Sequence, residues 1–180
     1  MKISRWLGLL TAGVATLCGC APSGQGLPPL QTVAKVDLQR YVGTWYEIAS
    51  YPHRFQMGCV ATRAVYTLHD DGQVMVRNEC RQDTLDGPLK SVQGRARVVD
   101  PVSNAKLKVT FFWPFWGAYW IIDLDPDYRW AVVGHPSRNY LWILSRNLTL
   151  DEDVYQQIVA RLPAQGYDPA RLNRTLQPED

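Results

Sequence analysis

The residues best suited to catalysis or metal binding are three histidines and four cysteines, and their spacing gives them few partners. His53, His69 and His135 belong to no HExxH motif, and the chain has no glycine-rich phosphate loop. No cysteine pair has the CxxC spacing of a zinc site. We therefore predict that the protein is not an enzyme and that it holds neither a metal nor a cofactor.

The first two cysteines belong to a segment with the features of a bacterial export signal. Its apolar run, Trp6–Leu17, is too short to span a bilayer as a stable helix. The run ends in Leu17-Cys18-Gly19-Cys20, the pattern at which bacterial lipoprotein precursors are cut once a diacylglycerol is joined to the second thiol. We expect residues 1–19 to be removed and Cys20 to carry a diacylglycerol and palmitate anchor. The alternative is an ordinary signal peptide beside an unmodified cysteine.

The residue after the anchor and the charge of the processed chain narrow the location and the partners. An aspartate directly after the lipidated cysteine would resemble an inner-membrane retention signal, and this chain has Ala21 there instead. We therefore predict that the lipid anchor holds the protein at the outer membrane. Without Lys2 and Arg5 the 19 basic residues fall to 17, which equals the 17 acidic residues. A neutral chain argues against nucleic acid as a partner.

Cys59 and Cys80 remain, and in an oxidising compartment they form a candidate disulfide. A hairpin loop at Asp70-Asp71-Gly72 would place Cys80 opposite Thr62 on the preceding strand. Cys59 would then point to the other face of the sheet. The bridge therefore requires a β-bulge in one of the two strands, and the alternative is a pair of free thiols.

Composition divides the processed chain into a linker and one folded domain. Residues 20–35 are rich in Pro, Gly, Ser and Gln, which predicts a flexible tether. Residues 36–180 are sufficient for a single domain with its own core. β-Branched and aromatic runs between turn residues predict strands at about 43–51, 58–68, 73–81, 91–99, 105–112, 118–124, 129–134 and 140–146.

Eight evenly spaced strands with short connections indicate an all-β fold, an antiparallel up-and-down β-barrel. One α-helix follows, because Thr149-Leu150-Asp151-Glu152 has the form of a capping box and Gly166 suits the C-terminal cap. Val154, Ile158 and Leu162 form its apolar stripe. We expect this helix to pack on the outside of the barrel, whose interior holds either side chains or one small ligand.

Three motifs on these strands resemble those of the lipocalin family. Gly43-Thr44-Trp45 resembles its Gly-x-Trp signature, Asp125-Pro126-Asp127-Tyr128 its second motif, and the strand that ends in Arg146 its third. The resemblance extends from about Asp37 to Gly166 and is strongest to the lipocalins of bacterial outer membranes. It implies a protein that binds, and transports or stores, small apolar lipids such as fatty acids or lysophospholipids.

Strand direction places the motif residues at one end of the barrel. Odd strands run one way and even strands the other, so Trp45 and Arg146 lie together where the first and last strands meet. We expect the Arg146 guanidinium to cover the Trp45 indole, with Gly43 beside them, and to close that end. The opposite end, which includes the loops at Pro52–Gly58 and Trp113–Gly117, is then the mouth.

Alternation of side chains along each strand selects residues for the cavity. In the sixth strand we place Trp120 and Ile122 inside, because the opposite register would bury Asp123. Each interior residue has core filling as its alternative role. The predicted ligand-binding residues are Ala64, Tyr66, Val76, Asn78, Phe111, Trp113, Trp120 and Ile122.

The mouth carries an unusually aromatic stretch, Phe111–Trp120, whose loop should reach water. We expect Trp113 and Trp116 in this loop to contact a bilayer, the acyl chain of a ligand or a partner, unless the loop packs on itself. Arg54 and His53 lie at the same end and are candidates for binding a phosphate group; the alternative is a solvated loop.

Two other functions stay open from the sequence. A filled barrel would leave a tethered interaction protein that docks a partner through the Trp-rich mouth loop. Some lipocalin relatives are enzymes that use a cavity cysteine, for which Cys59 or Cys80 would be the candidate. The apolar mouth is compatible with a monomer and with a homodimer.

Overall fold

The computed structural model describes residues 26–179, so the predictions for the signal peptide at 1–19 and the anchor at Cys20 lie outside the described residues. The described part contains two α-helices and nine strands, and none of its helices is long and apolar enough to cross a membrane. The elements are α1 (Leu38–Tyr41), β1 (Gly43–Ser50), β2 (Cys59–Leu68), β3 (Val74–Gln82), β4 (Leu89–Val98), β5 (Lys106–Phe112), β6 (Phe115–Leu124), β7 (Trp130–Gly134), β8 (Leu141–Ser145), α2 (Glu152–Arg161) and β9 (Asn173–Arg174).

The predicted eight-stranded antiparallel barrel is confirmed. Consecutive strands pair from β1 to β8, and β1 also pairs with β8, which closes the sheet. β1 contacts β2 only through its first four residues. Above them a C-terminal segment that includes β9 fills the gap, where the Thr175 amide donates to the Ile48 carbonyl and the Ala61 amide donates to the Leu176 carbonyl. The sequence did not predict this segment.

Apolar side chains pack on both faces of the barrel wall. The inner core includes Trp45, Leu107 and Ile121. On the outer face, Tyr155 and Ile158 of α2 pack with residues of β1, β7 and β8. The prediction of a helix on the outside of the barrel is therefore confirmed.

The N-terminal cap of α2 is Asp151, so the prediction of a capping box that begins at Thr149 is wrong. The Asp151 carboxylate accepts a hydrogen bond from the Val154 amide at 3.1 Å. Asp151 takes this role because its non-helical backbone, with φ −50° and ψ 133°, immediately precedes the first helical residue, Glu152. Gly166 has the left-handed conformation expected of it, with φ +80°, after the 3₁₀ turn that follows α2.

The predicted inward orientation of Trp120 and Ile122 is wrong. Both side chains lie on the outer face of β6 and join the core under α2, while Ile121 points into the barrel. The register between β6 and β7 shifts between Ile121 and Asp123, which marks a β-bulge. Because of this bulge, Ile122 and Asp123 both face outward, and Asp123 pairs with Arg161 of α2 at 2.7 Å. The outward register of Trp120 therefore does not bury an unpaired carboxylate.

Residues 26–36 pack against the barrel, Leu30 with the outer core and Val36 with the inner core, so the predicted flexible tether does not extend to residue 35. Leu30 is buried in the outer core. The Val33 amide donates to a carbonyl of β6 at 3.0 Å, and the Val36 amide donates to the carbonyl of Ser103 at 2.7 Å. Composition predicted a tether here because it does not show that one buried leucine and a few backbone hydrogen bonds hold this proline-rich segment against the barrel.

Trp45 and Arg146 meet at the closed end, as predicted. The Arg146 guanidinium carbon lies 3.8 Å from the centroid of the Trp45 ring. Gly43 has φ +100°, and a Cβ at this position would lie 3.2 Å from Arg146 Nη1. The guanidinium also donates hydrogen bonds to the carbonyl oxygens of Arg40, Tyr41 and Thr44. These contacts close one end of the barrel and leave the other as the mouth.

Candidate functional site

The barrel surrounds a cavity of about 630 Å³ that extends to the mouth. Five of the eight predicted ligand-binding residues line it, namely Ala64, Tyr66, Val76, Asn78 and Phe111. Trp113 does not line the cavity, because Phe112 pairs with Phe115 and leaves Trp113 77% exposed in the two-residue turn between them. Trp120 and Ile122 lie outside the barrel wall. Lining residues that the sequence analysis missed include Tyr41, Glu47, Gln56, Thr62, Tyr119 and Trp142.

Three tyrosine hydroxyls meet inside the barrel toward its closed end. The Tyr119 hydroxyl lies 2.8 Å from that of Tyr41 and 2.9 Å from that of Tyr66. Burial raises the pKa of Tyr66 to about 12 and that of Tyr119 well above its usual value, so all three phenols stay protonated. Three hydroxyl protons serve two hydrogen bonds, which leaves one donor for a group in the cavity.

A carboxyl group lies in the wall between β1 and β2. Glu47 is 4% exposed and lines the cavity. Its carboxylate accepts hydrogen bonds from Gln56 Nε2 at 2.6 Å, from Ser50 Oγ at 3.0 Å and from Thr175 Oγ1. Burial raises the pKa of Glu47, and these three donors oppose that shift. Alternation from the buried Trp45 two residues earlier could have predicted this position.

Asn78 presents an unused acceptor to the cavity. Its side chain faces inward on β3, and the buried Oδ1 has no hydrogen-bond partner among residues 26–179. A buried polar atom without a partner costs roughly 1–3 kcal/mol. A ligand that carries a hydrogen-bond donor to this level of the cavity would remove that cost.

His53 at the mouth is packed among aromatic rings. Its imidazole stacks on Phe55 with 3.8 Å between the ring centroids and lies 5.5 Å from Trp142. Burial lowers the pKa of His53 to about 4, so the ring is neutral at physiological pH. A neutral imidazole is a poor phosphate ligand, and of the predicted pair only the exposed Arg54 retains that capacity.

Large apolar side chains stand exposed around the mouth. We call this set the rim; each member is more than half exposed, and they lie in the β1–β2, β3–β4 and β5–β6 connections or at the strand ends beside them. The rim consists of Phe55, Met57, Leu89, Phe112, Trp113 and Phe115. Exposed apolar groups concentrated at one end of a domain indicate an interaction surface.

The predicted disulfide between Cys59 and Cys80 is present, with 5.4 Å between the Cα atoms. The register of β2 and β3 shifts between Val60 and Arg63, which supplies the bulge that the prediction required. Ala61 within this bulge has φ +48°. Because both sulfurs are in the bridge, neither cysteine has a free thiol that could act as a nucleophile in the cavity.

Comparison with known families matches residues 36–177 to the lipocalin-like domain. The chain is 43% identical over 157 residues to temperature-induced lipocalin-1 of Arabidopsis thaliana, covering 82% of this chain and 83% of that protein. It is 39% identical over 175 residues to outer membrane lipoprotein Blc of Escherichia coli K12, covering 97% and 98% of the two chains.

A solved structure with the same fold is insecticyanin of the tobacco hornworm, Manduca sexta. It superposes with a TM-score of 0.68 at 21% sequence identity, covering 86% of this chain and 87% of that one. The barrel architecture is therefore shared well beyond the range of close sequence similarity.

Proposed function

This chain belongs to the lipocalin family, and from that premise we propose that its cavity binds one single-chain lipid, a fatty acid or a lysophospholipid, at the bacterial outer membrane. The observation that carries the proposal is the open interior. A volume of about 630 Å³ lies within the range of about 300–1,000 Å³ that small-molecule sites occupy. Its walls are largely apolar, with few polar groups to fix a head group.

The distribution of polar groups supports a binding orientation. Val76, Leu107 and Val109 give the middle of the cavity an apolar wall suited to an acyl chain. Asn78 lies one inward position closer to the mouth than Val76 and offers its free acceptor there. We place the head group at the level of Asn78 and Gln56 and the tail toward the three tyrosines.

The location rests on the N-terminal pattern and on the relatives. The sequence ending in Cys20 has the form of a lipoprotein cleavage site, and similar proteins of Escherichia coli and Citrobacter freundii are named outer membrane lipoproteins. We infer that this chain is likewise anchored there through a lipid on Cys20 and that it transports or stores its ligand.

The two other functions have weaker support. A filled barrel that only docks a partner is disfavoured by the open cavity, although the rim would suit docking. Catalysis by a cavity cysteine is disfavoured by the Cys59–Cys80 bridge. Within residues 26–179 no three His, Cys, Asp or Glu side chains cluster as metal ligands.

Displacement of a fluorescent fatty acid by palmitate and by lysophospholipid tests this function. Val76→Trp should fill the cavity and weaken binding about tenfold or more, whereas Met75→Trp adds the same ring on the outer face of the same strand and should bind normally. Near-ultraviolet circular dichroism would verify that both variants fold. Equal binding by the two variants, or no binding by the unmodified protein, would refute the proposal.

A further inference from the structure

The N-terminal segment leaves the barrel at the mouth. From Val36 back toward Pro28, the segment runs along the barrel from one end to the other. Val36 lies beside the β4–β5 loop at the closed end, and Pro28 lies beside the β7–β8 loop at the mouth. Arg138 of the β7–β8 loop donates hydrogen bonds to the carbonyl of Pro28 and to that of Gln165. The described chain therefore begins, at Gly26, near the mouth.

This position limits how an anchored barrel can stand. Cys20 precedes Gly26 by six residues, which span at most roughly 20 Å when fully extended. Ten-residue strands such as β2 and β4 are themselves about 33 Å long. A lipid on Cys20 would consequently hold the mouth, rather than the closed end, close to the bilayer surface.

The rim is suited to that surface. Its six side chains surround the mouth on three of the four connections, and Trp113 and Phe115 are each more than three-quarters exposed. Aromatic side chains favour the interface between lipid head groups and acyl chains. At the closed end the described residues present far fewer such groups, of which Val102 is the most exposed at 84%.

The wall below the β5–β6 turn carries cations interleaved with tryptophans. The Arg97 guanidinium lies 4.7 Å and the Lys108 ammonium 5.5 Å from the Trp116 ring, and the Lys106 ammonium lies 4.8 Å from Trp120. Arg95 lies 5.9 Å from the Trp116 ring. We call Arg95, Arg97, Lys106 and Lys108 the basic wall.

In the part of the chain that the structure describes, none of the four cations of the basic wall forms an ion pair in contact with a carboxylate. The Asp100 carboxylate accepts hydrogen bonds from Ser103 Oγ at 2.7 Å and from the Val102 amide at 3.1 Å, which lower its pKa, and the Lys106 ammonium lies close enough to add to this lowering. Elsewhere on the sheet, the carboxylates of Glu79 and Asp123 are paired with Arg63 and Arg161. A concentrated positive face is complementary to an anionic lipid surface, although the 17 basic and 17 acidic residues left after removal of residues 1–19 balance overall.

We propose that the barrel docks mouth-first on an anionic phospholipid bilayer, with the rim inserted among the lipids and the basic wall tilted toward their head groups. In this pose a lipid passes between the bilayer and the cavity without crossing water. The orientation of the barrel rests on the proposed anchor at Cys20, and the transfer of lipid rests on the proposed lipid binding. Binding of the rim and the basic wall to a bilayer can be tested without either.

The test uses the processed chain with Cys20→Ala, so that binding depends on the protein surface alone. Co-sedimentation is measured with phosphatidylcholine vesicles that contain or lack phosphatidylglycerol. The unmodified surface should bind the anionic vesicles, and added salt should weaken this binding. Met57→Ser with Trp113→Ser, two rim residues that do not line the cavity, should abolish binding, and Arg95→Glu with Lys108→Glu should weaken binding to anionic vesicles about tenfold or more.

Two control variants carry matched changes at the closed end. Val102→Ser removes an exposed apolar side chain there, and Lys35→Glu reverses an exposed charge; both should bind vesicles as the unmodified surface does. The docking proposal is overturned if these controls weaken binding as much as the rim and wall variants do, or if no vesicle is bound. It is also overturned if the rim joins two copies of the chain, which sedimentation velocity would detect as a dimer that the rim variant dissociates. Fatty-acid displacement on the same rim variant should be unchanged, which separates this outcome from a failure of lipid binding.

Discussion

The Arg146 guanidinium carbon lies 3.8 Å from the centroid of the Trp45 ring and so joins the last strand of the barrel to the first. The same guanidinium donates to the carbonyl oxygens of Thr44 at 2.8 Å, Arg40 at 2.7 Å and Tyr41 at 3.1 Å. These carbonyls belong to α1 and the start of β1, and the Tyr41 carbonyl also accepts a hydrogen bond from Trp45 Nε1 at 2.7 Å. One side chain therefore both covers the closed end of the barrel and supplies hydrogen bonds to the backbone there.

Arg146→Ala should lower the free energy of unfolding by about 2–4 kcal/mol, because it removes charged hydrogen bonds together with the cation–π contact. Urea denaturation followed by tryptophan fluorescence would measure this loss. Arg54→Ala, at an exposed position in the mouth, should change stability by less than about 0.5 kcal/mol. A similar effect of the two substitutions would mean that Arg146 does not close the barrel.

Gly43→Ala should destabilise the protein more than Gly72→Ala does. Both glycines have a positive φ, +100° and +78°, so both substitutions strain the backbone. At Gly43 the new Cβ also meets Arg146 Nη1 at 3.2 Å, whereas at Gly72 nothing lies within 4 Å. We expect losses of about 2–3 kcal/mol and about 1 kcal/mol respectively in thermal or urea unfolding. Equal losses would show that the guanidinium moves aside without cost.

Tyr119→Phe should cost more stability than Tyr66→Phe. The Tyr119 hydroxyl is hydrogen-bonded to the hydroxyls of both Tyr41 and Tyr66. Its removal therefore breaks both hydrogen bonds and leaves two buried hydroxyls without this partner. Tyr66→Phe removes one end and keeps the bond between Tyr41 and Tyr119. The difference should be about 1 kcal/mol in urea unfolding, and the reverse order would contradict the hydrogen-bonded cluster.

Stability should fall as the pH drops from about 6.5 to about 4, with His53 as one cause. The folded-state pKa of His53 is about 4, below its value of 6.5 in an unfolded chain, so the unfolded state binds the proton more readily. The contribution of neutral His53 is fully present above pH 6.5 and is lost as the pH falls toward 4. His53→Phe keeps an aromatic ring beside Phe55, so its unfolding free energy should decline less than that of the unmodified protein over this range. Parallel curves for the two proteins would contradict the lowered pKa.

Local patterns in the sequence predicted the barrel because most of its determinants are local. Period-two alternation and turn residues located the eight strands, and strand direction alone brought Trp45 and Arg146 together. The same register reasoning showed that Cys59 and Cys80 need a bulge between them, and one is present beside Ala61. These features depend on neighbours along the chain or on the closure of the sheet.

The errors arose where a distant contact decides the local structure. Alternation fails in β6 because the bulge after Ile121 lets Asp123 reach Arg161, a residue of α2 that strand periodicity does not include. Residues 26–36 resemble a linker in composition, yet Leu30 finds a place in the outer core. Alternation from Trp45 would place Glu47 inside, but the donors that stabilise a buried carboxylate there, Gln56 and Thr175, come from a loop and from the C-terminal segment, which the strand pattern does not include.

The central claim is that the barrel holds one apolar lipid in its interior, and native mass spectrometry of the Cys20→Ala protein tests it most directly. We predict that the protein retains, or takes up, one fatty acid or lysophospholipid per chain, and that Val76→Trp loses this ligand while Met75→Trp retains it. A correctly folded, unmodified barrel that carries no lipid and takes none up from a molar excess would contradict it.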